Sequence, residues 1–185
     1  MTPTVRFAIA CVAGLALTTA CSAAGTTGSP APASTTDPTS SAPTSSGVAG
    51  DQALAAIKPC DLLTSAETGQ LGLAYPGRED RVGGADTCLW TISGNGTAGA
   101  AVRPDRGIDD LDYSGDRTVP TTIGKYPATR IEAPLDAKYI CHVVISVSDS
   151  SSVQVIATVK ATSTDTAAAC DRATRTAELI APKLP

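Results

Sequence analysis

Four cysteines, Cys60, Cys88, Cys141 and Cys170, follow residue 50 of this 185-residue chain and constrain its fold more than any other feature. Aromatic residues make up only 3% of the sequence, so a core must be built from aliphatic side chains around a single tryptophan. Such a core buries less apolar area per residue, and covalent cross-links would compensate for that. An even number of cysteines in an exported chain indicates disulfides, with three possible connectivities for four cysteines.

The first 20 residues predict export. Arg6 and the α-amino group precede an uncharged apolar run from Phe7 to Leu17, and small residues follow, which is the order of a secretory signal peptide. As a helix the apolar run would span about 16 Å, too short for the ~30 Å hydrocarbon core of a bilayer. Cys11 lies within this run, so we expect it to be removed with the signal.

The sequence "TTAC", which ends at Cys21, resembles a bacterial lipobox. In a lipobox the cysteine is diacylated and becomes the first residue after cleavage, and Ala20 fits the small residue that precedes it. Thr18 departs from the pattern, in which leucine is usual. The alternative is ordinary secretion with cleavage near Ala20 or Ala24. We expect residues 1–20 to be a lipoprotein signal peptide and Cys21 to be the lipidation site.

Residues 21–50 consist almost entirely of Ser, Thr, Pro, Ala and Gly, with Asp37 as the only charged residue. A segment of this composition has too little apolar surface to offset the entropy of ordering, so we expect a disordered tether. A random coil of this length spans about 30 Å. The tether is either an O-glycosylated stalk or an unmodified linker. Residues 51–185 are then the single folded domain.

One disulfide is predicted from the pattern at the C-terminal end. The segments "YICHVVISV" and "VQVIATV" alternate between apolar and polar residues on either side of "DSSS", which predicts an antiparallel hairpin with Cys141 facing inward. The last segment changes to helical spacing, with Thr164 or Asp165 as the cap and Pro182 near the end. Cys170 lies on its apolar stripe, with Ala173, Ala177, Ile180 and Leu184. We therefore pair Cys141 with Cys170.

The other pair is then Cys60 with Cys88. A short helix follows Cys60, because Thr64 and Glu67 match the Ser/Thr-x-x-Glu capping box. Cys88 begins a second predicted hairpin, "CLWTISGNGTAGAAV", whose turn contains Asn-Gly. The sequence thus predicts an α+β fold: an antiparallel sheet of about five strands, with a short N-terminal helix and a longer C-terminal helix packed on it, and two disulfides.

The four-cysteine pattern resembles an actinobacterial lipoprotein family, domain of unknown function 3558. The similar segments are "PCDLLT", "CLW", "IGKYPATR", "CHVVISVSD" and "ACDRATRTAELIAPKLP". They cover about residues 58–185, and the lipobox and tether have the same arrangement. The chain departs from the family at Lys58, where Asp is frequent, and in its Lys125-Tyr126 turn. The resemblance implies export, lipidation and this fold, and it implies no activity and no catalytic residues.

Residues with catalytic or metal-binding chemistry are few. The only histidine, His142, is a candidate base, but no Gly-x-Ser-x-Gly motif accompanies it, and we expect a surface or edge histidine. Asp110, Asp112 and Asp116 resemble the first half of a calcium loop, whose closing position is Thr121 rather than Glu. We expect a solvated acidic loop there, and a core position for Trp90. We therefore predict no catalytic residues, no metal and no cofactor.

The expected function is that of a membrane-anchored extracytoplasmic lipoprotein that binds something or assists another protein, without catalysis. The net charge of −4 and the scattered basic residues argue against nucleic acid as a partner. Expected partners are the lipid bilayer, through diacylglyceryl Cys21, and a small molecule, a lipid or a protein of the envelope. The alternatives are an envelope hydrolase that uses His142 and a structural subunit of a secretion or transport complex. The sequence does not indicate which residues bind a ligand.

Overall fold

The structure is a computed structural model that describes residues 46–185. The predicted signal peptide (1–20), the predicted lipidation site Cys21 and most of the predicted tether (21–50) lie outside these residues. The helices are α1 (Ser46–Ala55), α2 (Ser65–Gln70) and α3 (Thr166–Ile180). The strands are β1 (Arg78–Val82), β2 (Ala85–Thr91), β3 (Thr97–Arg103), β4 (Arg117–Ile123), β5 (Tyr126–Glu132), β6 (Ile140–Ser148) and β7 (Ser151–Thr158).

All seven strands form one antiparallel sheet in the order β1-β2-β3-β7-β6-β5-β4. The α+β class, the C-terminal helix and the two disulfides are confirmed. The expected number of about five strands is wrong. The edge strands β1, with sequence REDRV, and β4, with sequence RTVPTTI, are largely exposed, and only Val82, Val119 and Ile123 are large apolar residues among them. Charges and proline are typical of edge strands, which must resist pairing with other chains, so hydrophobic periodicity does not detect them.

The two predicted hairpins are the centre of the sheet, β2-β3 and β6-β7, which pair with each other through β3 and β7. Their inward residues are fully buried and form the core together with Trp90, which confirms the expectation for that residue. Alternation predicted these strands because only one of their faces contacts the helices. The inward residues are Cys88, Cys141, Val143, Ile145, Val153, Val155 and Ala157.

Helix α3 packs against β6 and β7 through the predicted apolar stripe. The Asp165 carboxylate accepts a hydrogen bond from the backbone N–H of Ala168 at 2.9 Å and so caps the helix. Ala169, Ala173, Ala177 and Ile180 are fully buried against the sheet. Three of these four residues are alanines, so the buried face of the helix carries mostly small side chains.

Each disulfide connects one helical segment to the sheet. Cys60, in the short 3₁₀ turn at Pro59–Leu62, is bonded to Cys88 of β2. Cys170 of α3 is bonded to Cys141 of β6. These are the pairs that the sequence predicted. A capping box formed by Thr64 and Glu67 begins α2, also as expected.

Helix α1 begins at Ser46, within the segment expected to be tether, and it packs on the core face of the sheet. Leu54 is fully buried in the hydrophobic core. The Asp51 carboxylate accepts hydrogen bonds of 2.6 Å from Ser148 and from Ser150 in the β6-β7 turn. These hydroxyls lower the pKa of Asp51. The folded domain therefore includes residues N-terminal to the first disulfide.

The second face of the sheet is also covered, by the loop 104–116 between β3 and β4. Val144 and Ile131, which point to this face, are fully buried. The Ser152 hydroxyl donates a 2.8 Å hydrogen bond to the Arg106 carbonyl and holds the loop against β7. The polar residues of the central strands on this face are consequently enclosed rather than solvated.

Candidate functional site

His142 lies in β6, between β5 and β7, and is largely buried under the loop 104–116. The expectation of a surface or edge histidine is therefore wrong. Its Nδ1 lies 3.1 Å from Nε2 of Gln154 on β7. The Tyr113 ring from the covering loop packs edge-on at 6.4 Å between centroids. His142 is thus part of an enclosed polar cluster on the second face of the sheet.

Arg103 sets the orientation of the Gln154 amide in this cluster. Its guanidinium, which can only donate, makes a 2.9 Å hydrogen bond to Oε1 of Gln154. The amide nitrogen of Gln154 must then donate to the Tyr113 hydroxyl, at 2.9 Å, and to Nδ1 of His142. His142 therefore accepts at Nδ1 and carries its proton on Nε2.

Burial keeps both aromatic groups of the cluster neutral. Desolvation lowers the pKa of His142 to about 4, with a smaller opposing effect from Asp116. Desolvation also raises the pKa of Tyr113 to about 12. A general base works best with a pKa near the operating pH. Within residues 46–185, no serine, threonine or cysteine side chain hydrogen-bonds to either ring nitrogen of His142.

The aspartates of the acidic loop make separate contacts. Asp110 accepts from the backbone N–H of Gly107 at 2.9 Å, Asp112 accepts from Ser114, and Asp116 accepts from the backbone N–H of Leu135 at 2.9 Å. Each carboxylate thus stabilises a backbone turn. In the described part of the chain, no three His, Cys, Asp or Glu side chains cluster closely enough to hold a metal ion.

The turn between β5 and β6, residues 133–138, is the strained part of the backbone. Ala133, Leu135 and Asp136 have φ values of 49°, 53° and 60°. The left-handed region costs non-glycine residues about 1–2 kcal/mol each, and such strain concentrates at functional sites. The hydrogen bond from Leu135 to Asp116 and one of 2.9 Å from the Thr166 hydroxyl to the Lys138 carbonyl hold the turn.

Leu135 is 92% exposed at the tip of this turn, which we call the Leu135 turn. The only other large hydrophobic side chain in residues 50–185 that is classed as exposed is Tyr75, at 56%. A single exposed leucine is ordinary, but here the backbone is strained in the conformation that presents it.

Two clefts adjoin the Leu135 turn. The first, of about 530 Å³, includes Asp116, Arg117, Leu135 and Lys138, and the second, of about 390 Å³, extends along α3 to Cys170. Glu132 lines both and forms salt bridges of 3.1 Å with Arg117 and 2.7 Å with Arg130. We call these two clefts and the turn the Leu135 surface.

Sequence reasoning did not find the Leu135 surface or the partners of His142. A leucine after Pro134 gives no sign of whether it is buried, so no signal was present for the turn. Gln154 gave no signal of burial either, because it lies at an outward position of its strand, where alternation expects a polar residue. The structure brings together His142 and Tyr113 of the acidic loop, and it separates the three aspartates of that loop.

The comparisons with known proteins give the family. The model of the family described as "Protein of unknown function (DUF3558)" matches residues 16–183, so the chain belongs to this family. No curated protein and no solved structure shows significant similarity to the chain. No helix within residues 46–185 is both long and apolar enough to cross a membrane. Cys21 lies outside the described residues.

Proposed function

We propose that the chain is an actinobacterial lipoprotein, held at the extracytoplasmic face of the cell membrane by a diacylglyceryl group on Cys21. It binds or assists a protein of the envelope without catalysis and without a cofactor. The signal-like residues 1–20, the lipobox ending at Cys21 and the tether composition of residues 21–50 support the anchor. Lipidation would anchor the domain to the membrane surface, in contrast to a chain that spans the bilayer.

The observation that carries the binding proposal is the exposure of Leu135 on a strained turn. An apolar side chain at the tip of a rigid turn fits a pocket on a partner, and buried apolar anchors dominate binding energy at protein interfaces. The ion pairs of Glu132 beside it supply a polar rim. Because the turn is already held by Asp116 and Thr166, little ordering entropy would be lost on binding.

A protein partner fits the Leu135 surface better than a small apolar ligand does. The adjoining clefts are open and lined by charged side chains, with no aromatic residue among them. Small-molecule sites are mostly enclosed, apolar and rich in aromatic residues. An accessory subunit of a secretion or transport complex is one form that this proposal can take.

The alternative, an envelope hydrolase that uses His142, receives no support from the geometry. The ring is enclosed, Nδ1 is occupied by Gln154, and its lowered pKa leaves it a weak base. A hydrolase of that kind would need a nucleophile within reach of the ring. We therefore assign His142 a structural role.

The binding proposal is tested by site-specific photo-crosslinking in intact cells. A crosslinking residue at Lys138, in the Leu135 surface, is compared with one at Tyr75, the other exposed hydrophobic position. We expect one discrete adduct from position 138 that is absent from position 75 and is lost in Leu135→Gly. Glycine relieves the strained φ, so this variant keeps the fold while it removes the side chain. Adducts that are equal at both positions, or unchanged by Leu135→Gly, would refute the proposal.

The anchor is tested separately by Cys21→Ser, which should release the protein from the membrane fraction. The intact mass of the mature wild-type N-terminus should include a diacylglyceryl group on Cys21. A mature protein that lacks this mass, or one that begins after Ala24, contradicts the anchor and leaves the crosslinking result to be judged independently.

A further inference from the structure

Arg103 is a buried cation at the C-terminal end of β3. The residue is only 6% exposed, and its three hydrogen bonds all go to neutral oxygens. These are the carbonyls of Gly83 and Val82, at 3.2 and 3.4 Å, and Oε1 of Gln154 at 2.9 Å. Among the salt bridges of residues 46–185, none includes Arg103. Buried charges are normally paired, so this guanidinium lacks an expected counterion.

Two N–H groups of Arg103 also lack an acceptor among residues 46–185. A guanidinium has five N–H donors, and the three hydrogen bonds leave two of them over. The buried Nε has no partner within the described part of the chain. Desolvation lowers the pKa of Arg103, yet arginine remains protonated in proteins, so the charge persists at this position. A buried cation without a counterion is costly, and an anion bound beside the guanidinium would relieve that cost.

A small cavity adjoins Arg103 at the turn between β1 and β2. Its volume is about 60 Å³, roughly that of two water molecules. Two arginines and one aspartate contribute a net charge of one positive. A Cβ on Gly83, which has a φ of +56°, would lie 3.1 Å from the Arg103 guanidinium, so glycine leaves this space open. The lining residues are Gly83, Gly84, Ala85, Arg103, Asp105 and Arg106.

We propose that this cavity binds the carboxylate group of a small ligand, with Arg103 and Arg106 as its donors. A carboxylate matches the geometry of the planar guanidinium and fits the available volume. Its single negative charge would neutralise the net charge of one positive on the lining residues. The carboxylate accepts the second N–H of the Arg103 Nη1 group, which the hydrogen bond to Gly83 leaves over, while the exposed Arg106 adds a second donor from the loop 104–116. The cavity lies at the opposite end of the strands from the Leu135 surface, so this proposal is independent of the proposed function.

The site is tested by NMR titration of the folded domain with sodium formate, with sodium chloride at equal ionic strength as the reference. We expect saturable shifts of the Arg103 guanidinium signals and of the Gly84 amide in formate and none in chloride. Equal shifts in both salts, or Arg103 guanidinium signals that do not move, would overturn the proposal. A cavity that holds only water gives this second result.

Two variants test whether the response to formate comes from this cavity. Arg106→Gln changes an exposed residue, so it should fold, and it should weaken formate binding by about tenfold, the effect of losing one charge-assisted hydrogen bond. The matched control is Arg81→Gln on β1, an exposed arginine outside the cavity lining, which should bind formate as the wild type does. Unchanged affinity in Arg106→Gln, or an equal loss in the control, overturns the assignment.

Discussion

Gln154 donates a 3.1 Å hydrogen bond from its side-chain amide to Nδ1 of His142, and this contact holds the only imidazole of the chain in one neutral tautomer. On the other side of Gln154, the Arg103 guanidinium donates to Oε1, and this prevents the amide oxygen and nitrogen from exchanging positions. Protonation of His142 at Nδ1 would place a proton against the amide N–H and a charge in an enclosed site. The contact therefore couples the protonation of His142 to the stability of the fold.

Stability should fall as the pH is lowered from about 6.5 to about 4, because unfolded His142 binds a proton in this range and folded His142 does not. The loss over the whole range is about 3 kcal/mol. His142→Asn keeps an acceptor near Gln154 and removes the titration, so its stability should vary much less between pH 6.5 and 5. Urea unfolding at several pH values measures this difference.

Above about pH 5, the pH dependence of stability should come mainly from His142, because most carboxylates are ionised there in both the folded and unfolded states. His142→Asn with the same pH dependence as the wild type would show that other groups cause it. Such a result would contradict the enclosed, neutral state of His142.

Each disulfide should contribute about 3–4 kcal/mol to the free energy of unfolding, because each closes a loop of similar length. The sequence separations are 28 residues for Cys60–Cys88 and 29 for Cys141–Cys170. Removing either disulfide should therefore lower the free energy of unfolding by a similar amount, as measured by urea unfolding. The two double variants are Cys60→Ala/Cys88→Ala and Cys141→Ala/Cys170→Ala. Cys21→Ser in the unlipidated protein is the control and should unfold at the wild-type midpoint.

Gly77→Ala should destabilise the domain by about 1–3 kcal/mol through overpacking. A Cβ at this position would overlap Sγ of Cys88 and lie 2.5 Å from Nε1 of Trp90, and both of these side chains are fully buried. Gly69→Ala is the matched control, because a Cβ there meets nothing within 4 Å and alanine favours α2. In thermal unfolding, Gly77→Ala should have a lower Tm than the wild type, and Gly69→Ala should have a Tm at or above that of the wild type. Equal Tm values would mean that Gly77 is not close-packed.

Leu54→Ala should lower the free energy of unfolding by about 2–5 kcal/mol, as expected for a leucine that is fully buried in the core. The same change at the exposed Gln52 of α1 should alter it by less than about 0.5 kcal/mol. The comparison decides whether α1 belongs to the folding unit. If Leu54→Ala unfolds at the wild-type urea midpoint, the domain begins after this helix.

Much of the fold was predictable because several elements contact the core with only one face. In β6 and β7 the alternation correctly predicted that Val143 and Val155 face the core. In α3 the helical spacing correctly predicted the same for Ala173 and Ile180. The disulfide pairs followed from those faces. The same signal failed for β1 and β4, which are largely exposed and contain few large apolar residues.

The candidate sites were predictable only in part. His142 was recognised as the one imidazole, but its environment was assigned to the surface because its strand neighbours on that face include serines. Its enclosure depends on Tyr113, 29 positions away in the loop between β3 and β4. Leu135 and Arg103 had no local pattern that distinguished them from other leucines and arginines of the chain.

The sequence alone determined the periodic elements, the α+β class and the cysteine pairs, because these depend on which residues face a common core. Only the tertiary structure decided that the second face of the sheet is enclosed and that Arg103 is buried without a carboxylate. It also decided that Leu135 is presented by a strained turn. The physical reason is that these properties arise where segments distant in sequence meet, and such contacts leave no periodic pattern within either segment.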